Sequence, residues 1–396
     1  MGNSKKRVEK DQDKLGPSAY ISLVLIILFF SGIMGRFDNW LSFFDYSTLS
    51  GAFGEIGGTG ANFQGAGGDG AKGGFMFAFS LIPGVMMAIG AVAVAEYYGA
   101  IRASQKLLTP LLRPLLGIPG SAGLAMITSL QSTDASATMT KVLKDDRELN
   151  EDQATVFSAW MFSSDATITN FFSSGAALWA LTNIDGSPAI RISMMIPFVL
   201  QLLMKFFGAN IVRFYLNSKG KAGYEVDKKA EVDSAKKVDE AVIKNQEVKE
   251  ELNPTSVFVD GASRGLSIGF KSIIPNVLMA YVLIKVLNVT GLMDIIGRLL
   301  APVMGIFGLP GQSATVLLAS VLSMGGGVGV AGALFEEGVL NGAQLAIISP
   351  AIFLMGSLVQ YSGRLLAVVD VKHKGLLFAT SILNALVAML IMNLLV

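Results

Sequence analysis

Two acids, Asp134 and Asp165, each stand in an apolar run that holds no other charge. Burying a carboxylate in hydrocarbon is costly unless a partner meets it, so an acid inside a membrane segment marks an ion or proton path by default. Both have hydroxyl-rich surroundings. Thr128, Ser129, Gln131, Ser132, Thr133, Ser136 and Thr138 flank Asp134, and eight of the twenty residues from Ser121 to Thr140 are Ser or Thr. Ser163, Ser164, Thr167, Thr169 and Asn170 flank Asp165. Such sets suit Na⁺ and equally suit a protonatable relay; a helix cap or a structural ion pair is the alternative role for Asp134.

A second copy of the same frame lies downstream. LLGIPG (Leu115 to Gly120) matches IFGLPG (Ile306 to Gly311), and LNEDQATVFS (Leu149 to Ser158) matches LNGAQLAIIS (Leu340 to Ser349), at one constant offset. LIPGVMMA (Leu81 to Ala88) faces IIPNVLMA (Ile273 to Ala280) one residue further off. These anchors identify two copies of one unit. At the constant offset Gly325 stands opposite Asp134, and Gly356 opposite Asp165. The second unit therefore offers backbone, through Ser323, Gly325, Gly326 and Gly327, where the first offers side chains. GVGVAG fits the dinucleotide pattern but follows no strand and has no acid about 20 residues on, so it signals close packing or opened backbone. Gln360 and Arg364 add polar groups to the following run, Arg364 to meet an anion, to neutralise an acid or to snorkel to the surface. Asn276, just after Pro275, is a kink ligand.

The elements that position these groups are membrane helices. Hydrophobic residues make up 52% of the 396, charged residues 15%, and the mean hydropathy is +0.55, the range of polytopic membrane proteins. The net charge of +1 gives no reason to expect nucleic acid, and no Cys and one His, His373 in a basic run, leave metal and thiol chemistry without parts. No resident cofactor is implied beyond a coupling Na⁺ or H⁺. Spans are expected at Tyr20 to Gly35, Phe75 to Tyr97, Gln153 to Thr182, Pro188 to Leu216, Gly261 to Asn288, Ala343 to Val369 and Gly375 to Val396. The domains follow: a cytoplasmic tail 1–18, a first unit 19–216, a charged cytoplasmic helical linker 217–254 and a second unit 255–396. A Gly-rich stretch within residues 36–74 reads as an external loop.

Charge placement sets the topology. Arg102, Lys106, Arg113, Lys141, Lys144 and Arg147 crowd the first unit between residues 99 and 152, whereas Arg298 alone occupies the matching region 290–342. Inverted copies explain the contrast: the first unit's loops face the cytoplasm and the second's face outside. All six basic residues stay inside only if Gly120 to Leu143 enters and returns. The expectation is an all-α polytopic protein of two inverted repeats, each with a re-entrant or broken helix hairpin, about seven spans plus two hairpins, N-terminus in and C-terminus out.

VFVDGASRGLSIGF, GLPGQSATVLLASVLSMGGGVGVAGAL and GSLVQYSGR carry a resemblance to nucleoside-recognition, or Gate, domain membrane proteins of the bacterial inner membrane. The chain looks like two such proteins fused, residues 15–216 resembling one and the second unit the other. The resemblance implies nucleoside transport but supplies no ligand residue. With the resemblance, the residues lead to the expectation of a secondary transporter working by alternating access on a small polar solute such as a nucleoside, amino acid or small peptide, coupled to Na⁺ or H⁺. A passive channel, or a scaffold docking a partner on the linker, is the other class. No HExxH, intramembrane Ser–His pair or nucleotide loop supports an enzyme. The apolar surface suits a monomer or a homo-oligomer.

Overall fold

The computed structural model describes residues 16–37, 70–100, 112–164, 166–183, 185–218 and 253–396, with positions 41, 44–46, 103 and 107 between them. The N-terminal tail, most of the Gly-rich external loop, the linker from 219 to 252 and Asp165 lie outside the described residues. What is described is helical, apart from a single bridge between Thr182 and Pro188. Among the described residues, five helical stretches are long and apolar enough to cross a membrane: Gly70–Tyr97, Met195–Ser218, Pro254–Asn288, Gly342–Val369 and Lys374–Leu395. The chain is an all-α, multi-pass membrane protein.

Chain order runs as follows. The N-terminal helix α1 spans Pro17–Phe29 and α2 Gly70–Tyr97. A hairpin follows, α3 (Gly123–Ser129) and α4 (Thr133–Asp145). Then come α5 (Glu151–Phe162), a break, and α6 (Thr167–Asn170), which continues through a π turn, Phe171–Gly175, to Trp179. Met195–Ser218 is α7, and Pro254–Asn288 is α8, with its own π turn at Gly269–Ile273. The second unit repeats the pattern after α9 (Leu292–Gly305). Its hairpin is α10 (Ala314–Leu322) and α11 (Met324–Glu336), followed by α12 (Gly342–Leu354). Beyond a break, α13 (Leu358–Tyr361) runs through a π turn, Ser362–Leu366, to Val369, and α14 is Lys374–Leu395.

Three expected spans differ from the rest; the one expected at Ala343 to Val369 is broken after Leu354, where Ser357 takes left-handed backbone, φ 59°. The first apolar run is helical for only 13 residues and stops before Gly32, whose φ is +71°. The run expected as one span at Gln153 to Thr182 is two pieces, because Ser164 and Ala166 take left-handed backbone, φ 59° and 45°, which no continuous α-helix accommodates. Sequence reading assigns no element to Leu292–Gly305, yet α9 is a helix whose Gly297 carbonyl lies so close to Gly311 that a Cβ there would sit 1.9 Å from the oxygen.

The two units are built by the same local devices. Asn150 and Asn341 cap α5 and α12 through full capping boxes with Gln153 and Gln344. Each glutamine also donates to the carbonyl of a left-handed glycine, Gly117 or Gly308, at 3.1 and 3.2 Å. Ser132 and Ser323, both extended, cap the second arm of each hairpin. That arm has 13 residues in each unit. At 1.5 Å per residue this is about 20 Å, short of the roughly 30 Å of a hydrocarbon core. Between the units sits an aromatic core in which Phe171 packs edge-on against Phe353 with ring centres 5.5 Å apart.

Candidate functional site

Each hairpin tip is hydrogen-bonded to the break that follows it. In the first unit the Ala166 amide donates to the Ser129 carbonyl at 2.8 Å, and the Thr169 hydroxyl to the Gln131 carbonyl at 2.9 Å. In the second, the Ser357 amide donates to the Ser320 carbonyl at 2.7 Å, and the Gln360 amide to the Leu322 carbonyl at 3.2 Å. Every one of these atoms has its counterpart at the same offset. The units meet on equivalent residues too: Asn170 donates to the Tyr361 hydroxyl at 3.2 Å, and these two stand 191 residues apart, the offset of the repeat itself. The π turn of each unit also packs on the second hairpin arm of the other.

The structure brings most of the sequence-selected residues to this clasp. Asp134, in the first turn of α4, pairs with Arg364 from the second unit's π turn at 2.9 Å, with 61% and 54% of the two side chains exposed. Ser136 and Ser129 are buried and turn their hydroxyls back to carbonyls of their own helices, Thr133 and Met126. Thr133 is buried beside them. Asn276 accepts from Ser323 at 3.1 Å and donates to the Ser272 carbonyl at 2.7 Å, so the residue after Pro275 ties α8 to the second tip. Gly325 packs on Asn276, and Gly327 on Ser320, where a Cβ would come within 2.0 Å of the hydroxyl. Gly326 has ordinary room.

Sequence reasoning missed the most buried polar group here. Lys205, fully buried in α7, donates to the carbonyls of Ser163 and Ser164, both at 2.8 Å, and lies 4.3 Å from the centre of the Trp160 ring. Those carbonyls follow the C-terminal end of α5, where unpaired acceptors and the helix dipole favour a cation. Gln201, one turn earlier on α7, accepts from the Ser164 hydroxyl at 3.0 Å, and Asn384 of α14 donates to the Ser163 hydroxyl at 2.9 Å. Gly208 completes that face of α7, since any Cβ would collide with Asn384. The signal was present in QLLMKFFGAN: Lys205 is a lone charge in the middle of an apolar span.

At the second unit's break the corresponding carbonyl, that of Leu354, accepts instead from the neutral Ser381 hydroxyl at 2.6 Å. Ser357 caps from within, its hydroxyl taking the Met324 amide at 3.1 Å. Gly356 lies directly against Met324, so this break is packed by apolar contact.

The family model described as Gate, nucleoside recognition, matches residues 78–184 and 270–394. The uncharacterized protein YjiH of Escherichia coli strain K12 is 44% identical over 208 residues, which are 52% of this chain and 88% of YjiH. The inner membrane protein YjiG of the same strain is 44% identical over 146 residues, 36% of this chain and 95% of YjiG. A solved structure of a CNTnw variant in an outward-facing state is 17% identical and aligns with a TM-score of 0.48 over 95% of this chain and 88% of that one.

Proposed function

From the premise that the chain belongs to the Gate, or nucleoside recognition, family, we propose that it is a secondary-active transporter that moves a small polar solute across the bacterial inner membrane by alternating access. The observation that carries this reading is the clasp: two short helix hairpins, each tied at its tip to an interrupted helix, with the two units joined by the Asn170–Tyr361 hydrogen bond. Interrupted helices leave backbone N–H and C=O groups free to meet a solute or ion, and pairs of such units commonly rock against each other. The hairpins re-enter the membrane, since neither arm is long enough to cross it. The units are inverted, since only then do the six basic residues of the first unit's loops and the near absence of them in the second obey one charge rule.

In this reading the solute binds between the tips, where the half-exposed Asp134–Arg364 pair supplies charge of both signs and Gln131, Thr169, Asn170 and Gln360 supply amides and a hydroxyl. Nucleosides, amino acids and short peptides all carry matching donors and acceptors, and Arg364 would face a carboxylate. Coupling is to Na⁺ or H⁺. The test is thermal melting of the purified protein against nucleosides, amino acids, dipeptides and dicarboxylates, followed by uptake of any stabilising solute into proteoliposomes. A ligand of the folded state raises the melting point by mass action. Concentrative uptake, lost in Asp134→Asn and Arg364→Ala, is the expected result; uptake that only equilibrates would contradict it.

A further inference from the structure

The two breaks solve one structural problem in two ways, and the difference points to a function for Lys205. A helix that stops inside a membrane leaves carbonyls that need donors. At the second break a serine hydroxyl suffices for Leu354. At the first, the equivalent carbonyl of Ser163 is met by an ammonium group that is itself fully buried, and that ammonium also reaches the Ser164 carbonyl, which the Thr167 hydroxyl meets as well. Burying an ammonium is far more costly than burying a hydroxyl, and the second break is capped without one. The described surroundings of Lys205 suit a cation: two main-chain carbonyls and the Trp160 ring face, on residues whose hydroxyls are tied to Gln201 and Asn384. Polar capacity is left over there as well. Gln201 Nε2 and Asn384 Oδ1 are buried without a hydrogen-bond partner, so the site holds more donors and acceptors than its internal bonds use.

We propose that the Lys205 ammonium is a tethered cation occupying the carbonyl site at the first break, in the place where a carbonyl-bound Na⁺ would otherwise sit, so that the chain binds its solute without Na⁺. The consequence for solute binding rests on the transporter reading; the occupancy of the site does not.

The full-length protein in lipid nanodiscs is melted in NaCl and in choline chloride at equal ionic strength, with no solute present. Wild type melts at the same temperature in both. Lys205→Ala vacates the site, melts lower in choline, and recovers by several degrees as NaCl is added, because Na⁺ then binds the folded state alone. Lys205→Met fills the space with an uncharged chain, melts lower, and shows no recovery. Na⁺ stabilisation of the wild type overturns the proposal, as does a Lys205→Ala variant no more responsive to Na⁺ than Lys205→Met. If neither variant folds, radiosodium binding to wild type decides: none bound upholds the proposal and saturable binding overturns it. A flat solute panel would count against the transporter reading and leave these melting curves untouched.

Discussion

The two halves of this chain share a backbone plan and differ in what they place on it. Beside the first break stand Lys205, Gln201 and Asn384, and Asp134 heads the hairpin arm; beside the second stand Ser381, Met324 and a run of glycines. The lesson is that the hydrogen bonds between tip and break belong to the fold, because both units make them, whereas the buried ammonium belongs to something done at the first break alone. Duplication separates the two roles in a way that one copy never could.

Exchanging the chemistry of the halves should therefore cost unequally. The largest loss is expected at Lys205: Lys205→Met takes the ammonium from the Ser163 carbonyl and leaves the Ser164 carbonyl to the Thr167 hydroxyl alone, and should destabilise by about 3 kcal/mol. Its second-unit counterpart, Ser381→Ala, should cost about 1 kcal/mol. Equal losses, read from denaturation of the two variants in the same detergent, would erase the contrast. Next is the hairpin arm, where Ser136 of the first unit faces Gly327 of the second. Gly327→Ser drives a side chain into Ser320 and should cost about 2 kcal/mol by overpacking. The reverse change, Ser136→Gly, should cost about 1 kcal/mol through lost helix propensity and one hydrogen bond.

Where the units join, Asn170→Ala and Tyr361→Phe should each cost about 1 kcal/mol and together less than their sum, with a coupling of at least about 0.5 kcal/mol in a double-mutant cycle. Additive losses would mean that the equivalent positions do not meet. The smallest stability effect is expected from Asp134→Asn, within about 1 kcal/mol, because both members of that pair are more than half exposed. Its predicted loss of uptake with little change in melting would separate a binding role from a structural one.

Much of this was legible in the chain. The anchors around LLGIPG and IFGLPG carry the repeat, and the basic residues on both sides of Gly120 to Leu143 carry the hairpin. Asp134 and Arg364 were both picked out, and neutralising an acid was among the roles weighed for the arginine. The clasp itself was not legible, since Asn170 meets Tyr361 and Arg364 meets Asp134 only through tertiary packing. Lys205 is harder to read, because the main-chain carbonyls and Trp ring that it meets leave no compositional trace. The interruption after Phe162 hid in an apolar run because Ser164 and Ala166 are ordinary residues for a helix; their left-handed backbone comes with tertiary bonds, Ala166 to the hairpin tip and Ser164 to Gln201.

The central claim is that the halves are inverted copies facing opposite sides of the membrane. The chain has no cysteine, so single thiols can be placed without background. Asp146→Cys and Glu337→Cys sit at matching exposed ends of the two hairpins. Labelling intact cells with a membrane-impermeant maleimide should mark Glu337→Cys at once and Asp146→Cys only after permeabilisation. Labelling of both from the same side would contradict the inverted arrangement, and with it the alternating-access account.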